Sequence, residues 1–138
     1  MSVRTLPPPS NGGAESLLET SEKRSVLHHL FDTKQLAQLS GWQPFREGVE
    51  MLPVYSSEEC DGPGCQAALL RYAPGARIPP HHHEGFEHIL VLDGSQQDER
   101  GTYGRGTCLI SHPGSEHSVV SEEGCVVLAI WARPVRFL

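Results

Sequence analysis

The chain has 138 residues, a formal net charge of −6 and 38% hydrophobic residues, enough for one modest core and too short for a second of ordinary size. Its 11 lysines and arginines are scattered along the chain, leaving no basic stripe to neutralise phosphates, which speaks against nucleic-acid binding. No apolar run approaches the roughly 20 residues of a membrane helix and the N-terminus lacks a signal-peptide layout, so a cytoplasmic protein without membrane attachment is expected.

Residues 1–25 hold "PPPSNGG" and then a polar, mixed-charge run, too poor in apolar groups to offset the entropy of ordering, so a disordered tail is expected there. Over 26–41 the apolar residues Val26, Leu27, Leu30, Phe31, Leu36 and Leu39 suggest a helical appendage, with Asp32 as an N-cap and Gly41 as its stop. From 42 to 138 the chain changes to short runs of β-formers punctuated by Gly, Pro, Asp and Ser. The predicted strands are 49–55, 66–72, 87–94, 106–112, 117–120 and 124–132, with a further strand and turn in 98–106. Many short antiparallel strands in one small domain point to an all-β sandwich or barrel. Pro53 marks its strand as an edge, and "SEEGC" (121–125) reads as a tight hairpin with Gly124 at positive φ. Cys60, Cys65, Cys108 and Cys125 form neither a CxxC pair nor a dense scaffold, so reduced thiols are expected, although "CDGPGC" could close a small loop.

The chemistry concentrates in "PPHHHEGFEH" (79–88). In an extended stretch side chains alternate, so His81, His83 and Glu87 share one face while His82 and His88 point away. Two imidazoles and a carboxylate make a half-site that needs a neighbour. His117, which opens a strand after the turn "HPGSEH", can face the strand carrying His81 and His83.

These residues resemble the cupins. Gly75, His81, His83, Glu87 and Gly94 match the first cupin motif at every fixed position, and Gly106, Gly114 and His117 match the second. The second motif's usual proline is His112 here and its usual asparagine is Ser121, positions that shape a hairpin and not a ligand shell. Over about 66–132 the chain is most similar to the cupin half of ChrR-type anti-sigma factors, and acetylacetone-dioxygenase-like cupins look similar too. The resemblance implies a jelly-roll barrel holding one divalent metal ion through His81, His83, Glu87 and His117. Imidazole and carboxylate suit Zn, Fe, Ni, Mn or Co, and six-coordination would leave two positions for small molecules. Behind the ligands, His112 could carry protons at the barrel mouth, while Arg71 and Tyr103 could reach the cavity and orient a substrate. Trp42, Phe86 and Trp131 read as packing groups.

Three functions are compatible with this pattern. The first expectation is a small metal-dependent oxidoreductase, dioxygenase-like, acting on a chelating diketone or similar ligand in the barrel. The alternative is a ChrR-like sensor whose metal and ligand state alters contact with a partner protein; only about 40 residues precede the barrel, without the cysteines of that family's zinc clamp. The third is a binding module without catalysis. The 49–55 edge and the 26–39 appendage leave apolar groups uncovered, so a homodimer is expected as well.

Overall fold

In the computed structural model, residues 4–5, 17–56 and 64–138 are described. The chain divides into two compact units, Met1–Trp42 and Gln43–Leu138. The first contains β1 (Arg4–Thr5), β2 (Leu18–Ser21), β3 (Arg24–Leu27) and α1 (Thr33–Ala37). β2 and β3 form a hairpin through a turn in which Lys23 has φ 60°, and β1 pairs with β2. This corrects two expectations. Disorder through residue 25 gives way to strands over Leu18–Ser21 and Arg24–Leu27, and helix from residue 26 gives way to one turn. The reason is local: Thr20, Ser21, Ser25 and Val26 are poor helix formers, and Thr20 and Ser25 face each other across the hairpin with hydroxyls 3.2 Å apart. Asp32 does cap α1, accepting from Gln35 N–H at 3.2 Å, but the helix ends at Gln38, ahead of Gly41. The rest of the tail expected over 1–25, residues 1–3 and 6–16, lies outside the described residues.

The second unit is antiparallel throughout: β4 (Gln43–Arg46), β5 (Val49–Tyr55), β6 (Gln66–Tyr72), β7 (Ala76–His83), β8 (Glu87–Asp98), β9 (Gly101–Gly104), β10 (Cys108–Ser111), β11 (Glu116–Ser121), β12 (Cys125–Trp131) and β13 (Val135–Phe137). Two sheets share the long strand β8. Its first half pairs with β10 and β12, and the sheet continues through β6 and β5 to β4. Its second half pairs with β9 and β11, and that sheet continues through β7 to β13. Between them lies a core of Val49, Leu70, Tyr72, Ile78, Ile89, Val91, Val119 and Val127. β4 and β13, unseen in the sequence because each is short and opens beside a proline, form the two ends of the strand path.

β8 changes sheets at Gly94, where φ is 72° and the backbone of Gly124 and Cys125 approaches too closely for any side chain. The 121–125 hairpin forms as expected, with Gly124 at φ 83°. Ser121, in place of the motif's asparagine, is buried and donates from Oγ to the Ser95 carbonyl at 2.6 Å, while its own carbonyl accepts from Gly75 N–H at 2.7 Å. The strand 49–55 is not an edge, because β4 lies outside it. However, β4 reaches only as far as Met51, so Pro53 sits past that pairing, where a missing N–H is tolerated. The homodimer expectation thereby loses one of its two grounds.

Cys65 is disulfide-bonded, against the expectation of reduced thiols. Cys108 and Cys125 are free, the first exposed and the second buried. Burial pushes the Cys125 thiol up to about 11. Under native, non-reducing conditions alkylation should therefore mark Cys108 within minutes and Cys125 only after unfolding, as peptide mass spectrometry can read.

The two motif glycines give a second check. Both have positive φ, but a Cβ on Gly75 would meet nothing, whereas one on Gly94 would collide with the Gly124 carbonyl. Gly75→Ala should cost about 1–2 kcal/mol, the ordinary left-handed penalty. Gly94→Ala should cost about 2 kcal/mol more, since neighbouring backbone has to shift. Urea midpoints of the two variants compare them directly.

Candidate metal centre

β7 and β11 lie side by side with His117 opposite His81, and the irregularity after His117 re-aims the strand as it leaves the site. β8 brings Glu87 alongside. The ligand-capable atoms of His81, His83, Glu87 and His117 all lie within 4.8 Å of one another. The three imidazoles form a nearly equilateral triangle, with centroids 5.0, 4.7 and 4.7 Å apart and planes tilted by 69–83°. His82 points away as parity requires, its Nδ1 3.0 Å from Glu116, and His88 faces outward from the other sheet, opposite Ile110 and Ile130.

Each imidazole is held from behind. Nδ1–H of His81 donates to the Pro79 carbonyl at 2.9 Å, that of His83 faces Ser115 O and Oγ at 3.1 and 3.0 Å, and that of His117 donates to Asp98 Oδ2 at 3.2 Å. With Nδ1 committed, each ring turns Nε2 into the cluster. The Nε2 atoms of His83 and His117 are buried with no hydrogen-bond partner. Glu87 Oε1 stands 3.2 and 4.0 Å from them, while Oε2 accepts from the Trp131 indole N–H at 2.7 Å. Unpaired buried nitrogens beside a carboxylate are costly in a protein interior, and a divalent cation satisfies all of them. The donor set fits such an ion.

Charge distribution agrees. Burial would raise the Glu87 pKa, but the surrounding histidines, His83 first, hold it below the usual carboxylate range. Burial would lower that of His83, but Glu87 and the Ser115 carbonyl hold it above the usual imidazole value. His81, where burial dominates, is held below it.

Of the residues expected behind the ligands, Tyr103 has a role, though not the one foreseen. Its hydroxyl donates to Asp98 Oδ1 at 3.0 Å, so it fixes the carboxylate that fixes His117. Asp98 also accepts from Arg100 N–H at 2.9 Å, and against the effect of burial these contacts keep it ionised. His112 acts through its backbone, its carbonyl accepting from Ser115 N–H and Oγ–H at 3.1 and 2.7 Å, while its ring lies 4.9 Å from Phe86. Arg71 does not reach the site; it pairs with Glu50 at 2.9 Å on the other side of its strand. Asp98, Ser115 and Trp131 are the contributors missed in the sequence. Asp98 follows Glu87 on one strand, but the Gly94 turn hides that it returns to the cluster.

Beneath the cluster lies a narrow chamber of about 40 Å³, whose walls include Leu70, Ile78, Ile89, Val119, Val135 and Phe137, with the polar side chains of Tyr72 and Gln96. A separate cleft of about 280 Å³ runs behind His83 and His117, past Asp98, Tyr103 and His112.

Two antiparallel sheets around three inward histidines and a glutamate define a cupin. Residues 30–133 match the ChrR cupin-like domain family, and the chain belongs to it. The anti-sigma-E factor ChrR of Cereibacter sphaeroides is 40% identical over 73 residues, 51% of this chain and 34% of that protein. The solved complex of Rhodobacter sphaeroides SigE with the anti-sigma ChrR aligns at TM-score 0.55 and 32% identity, over 65% of this chain and 47% of that one. This chain thus spans about a third to a half of those relatives. An acetylacetone dioxygenase from Acinetobacter johnsonii shares the fold at TM-score 0.67 and 16% identity, over 86% of this chain and 79% of that one.

Because Asp98 and Tyr103 act through His117, Asp98→Ala should weaken metal binding by about 10- to 100-fold and Tyr103→Phe by less. Arg71→Ala should leave it unchanged. Competition with a chromophoric chelator measures all three.

Proposed function

We propose that this chain holds one divalent metal ion through His81, His83, Glu87 and His117 and works as a regulatory cupin, its metal and ligand state read by a partner protein. The observation that carries the metal reading is the pair of buried, unpartnered Nε2 atoms facing Glu87. A bound ion would supply a Lewis-acid centre with positions left for a small ligand. The chain's own residues do the rest: Pro79, Ser115 and Asp98 orient the rings, Trp131 fixes one carboxylate oxygen, and the chamber walls limit ligand size.

Two observations favour regulation over diketone chemistry. The family is the ChrR cupin-like one, with a 40% identical relative named as an anti-sigma factor. The chamber, at about 40 Å³, is small beside the roughly 300–1,000 Å³ of ordinary small-molecule pockets, which favours a compact ligand over a diketone. The likeness to the acetylacetone dioxygenase concerns the fold. No described helix is long and apolar enough to cross a membrane, which suits action in the cytoplasm.

Elemental analysis should find close to one divalent ion per chain, lost in His83→Ala and His117→Ala and kept in His82→Ala. Retention in His83→Ala with loss in His82→Ala would reverse the strand parity beneath the proposal. Reloaded with Fe(II), the protein should show no diketone charge-transfer band and no oxygen uptake beyond the metal-free protein. A band that bleaches in air would instead make it a dioxygenase.

Proton competition has a definite sign. His83 is held above the ordinary imidazole value, so in the metal-free protein its pairing with Glu87 stabilises the fold fully below that value and is lost as pH rises through the raised one. A metal must displace that proton. Binding within this window should therefore release protons and strengthen as pH rises through it. Calorimetry in buffers of different ionisation enthalpy counts the protons.

A further inference from the structure

The strand path is open at its two ends, and the ends meet over the chamber without backbone pairing. β4 closes one sheet and β13 the other, and the two are not hydrogen-bonded to each other. Side chains alone cover the gap. Phe45 from β4 and Val135 and Phe137 from β13 line the chamber. The Arg46 guanidinium lies 3.7 Å over the Phe137 ring, and the His81 ring lies 5.7 Å from it. Phe137 thus touches both the outer cation and an inner imidazole of the cluster, on a three-residue edge strand.

Arg46 does more than cover a ring. Its Nε is buried without a hydrogen-bond partner, a costly state for a charged donor. Outside it lies a cleft of about 650 Å³ lined by Arg46, Arg77 and Glu47 and reaching Pro79, two residues from His81. Two guanidinium groups to one carboxylate make this cleft cationic, on a chain of net charge −6. A small anion arriving there would meet that positive charge, and displacing Phe137 would uncover the buried Arg46 Nε and open the way beneath the cluster.

We propose that the seam between β4 and β13 is the port to the chamber, with Phe137 as its gate and Arg46 as the group that recruits a small anion. The ligand class follows from the chamber: a compact monoanion of a few atoms, carrying an oxygen or nitrogen donor for the metal. This rests on the cluster holding a metal, so the test reads metal content separately.

The protein is loaded with Co(II), its visible bands and cobalt content are recorded, and azide or imidazole is mixed in by stopped flow at pH 8. Azide is the anionic probe and imidazole the neutral one. Phe137→Ala should speed association of both by roughly tenfold, the scale of one lost cation–π latch. Arg46→Gln should speed imidazole but weaken azide binding by roughly tenfold, since a charge-assisted contact is lost. Ile110→Ala, at the cleft behind His83 and His117, should alter neither. Phe137→Leu and Arg46→Gln keep the test decisive should Phe137→Ala fail to fold. If cobalt binds normally but the rates ignore Phe137 and Arg46, the port is elsewhere. Acceleration by Ile110→Ala alone places it at the opposite cleft. A chain that takes up no cobalt overturns the metal reading and the port with it.

Discussion

Everything at the centre of this molecule depends on where three imidazoles spend their Nδ1 protons. Each Nδ1 is bound to an acceptor outside the cluster, the Pro79 carbonyl, Ser115 or Asp98. Each ring is therefore held in one orientation, with Nε2 turned into the cluster, before any ion arrives. That arrangement is unfavourable for the empty protein, because it buries two ring nitrogens without hydrogen-bond partners beside a carboxylate. It is favourable for binding, because little reorganisation remains to be done.

The surrounding sheets serve that constraint. β7 and β11 must be adjacent for His81 and His117 to meet, and β8 must cross between sheets so that Glu87 and Asp98, eleven positions apart in the sequence, approach the same histidine from two sides. Gly94 permits the crossing, since no side chain fits against Gly124 there. The buried hydroxyl of Ser121 and the Gly75 N–H secure the far end of the same turn system. Apolar packing among Val49, Leu70, Ile89, Val91 and Val127 holds the sheets together below.

Much of this was legible because the relevant signals are local. Period-two alternation placed His81, His83 and Glu87 together and sent His82 outward, and motif spacing located His117. The strands 49–55 and 66–72 came out with the boundaries observed. What escaped depends on contacts between distant segments. Asp98 is an unremarkable acidic residue until β8 bends, Trp131 reads as core until its N–H is seen on Glu87, and Arg71 faces the wrong way by one position. The N-terminal hairpin was missed because the polar, mixed-charge composition through residue 25 reads as a disordered tail, while the hydroxyl pair that favours strands is separated by a turn.

β8 carries Glu87 at its start, Gln96 in the chamber wall and Asp98 at its end. Its length is consequently part of the site. One residue inserted or deleted between Glu87 and Asp98 would invert which side chains face inward on one side of Gly94 and move either the carboxylate or the residue that steadies His117. Lineages descending from this chain can lengthen their turns and recolour their outer faces, but this strand is a ruler whose graduations they inherit whole.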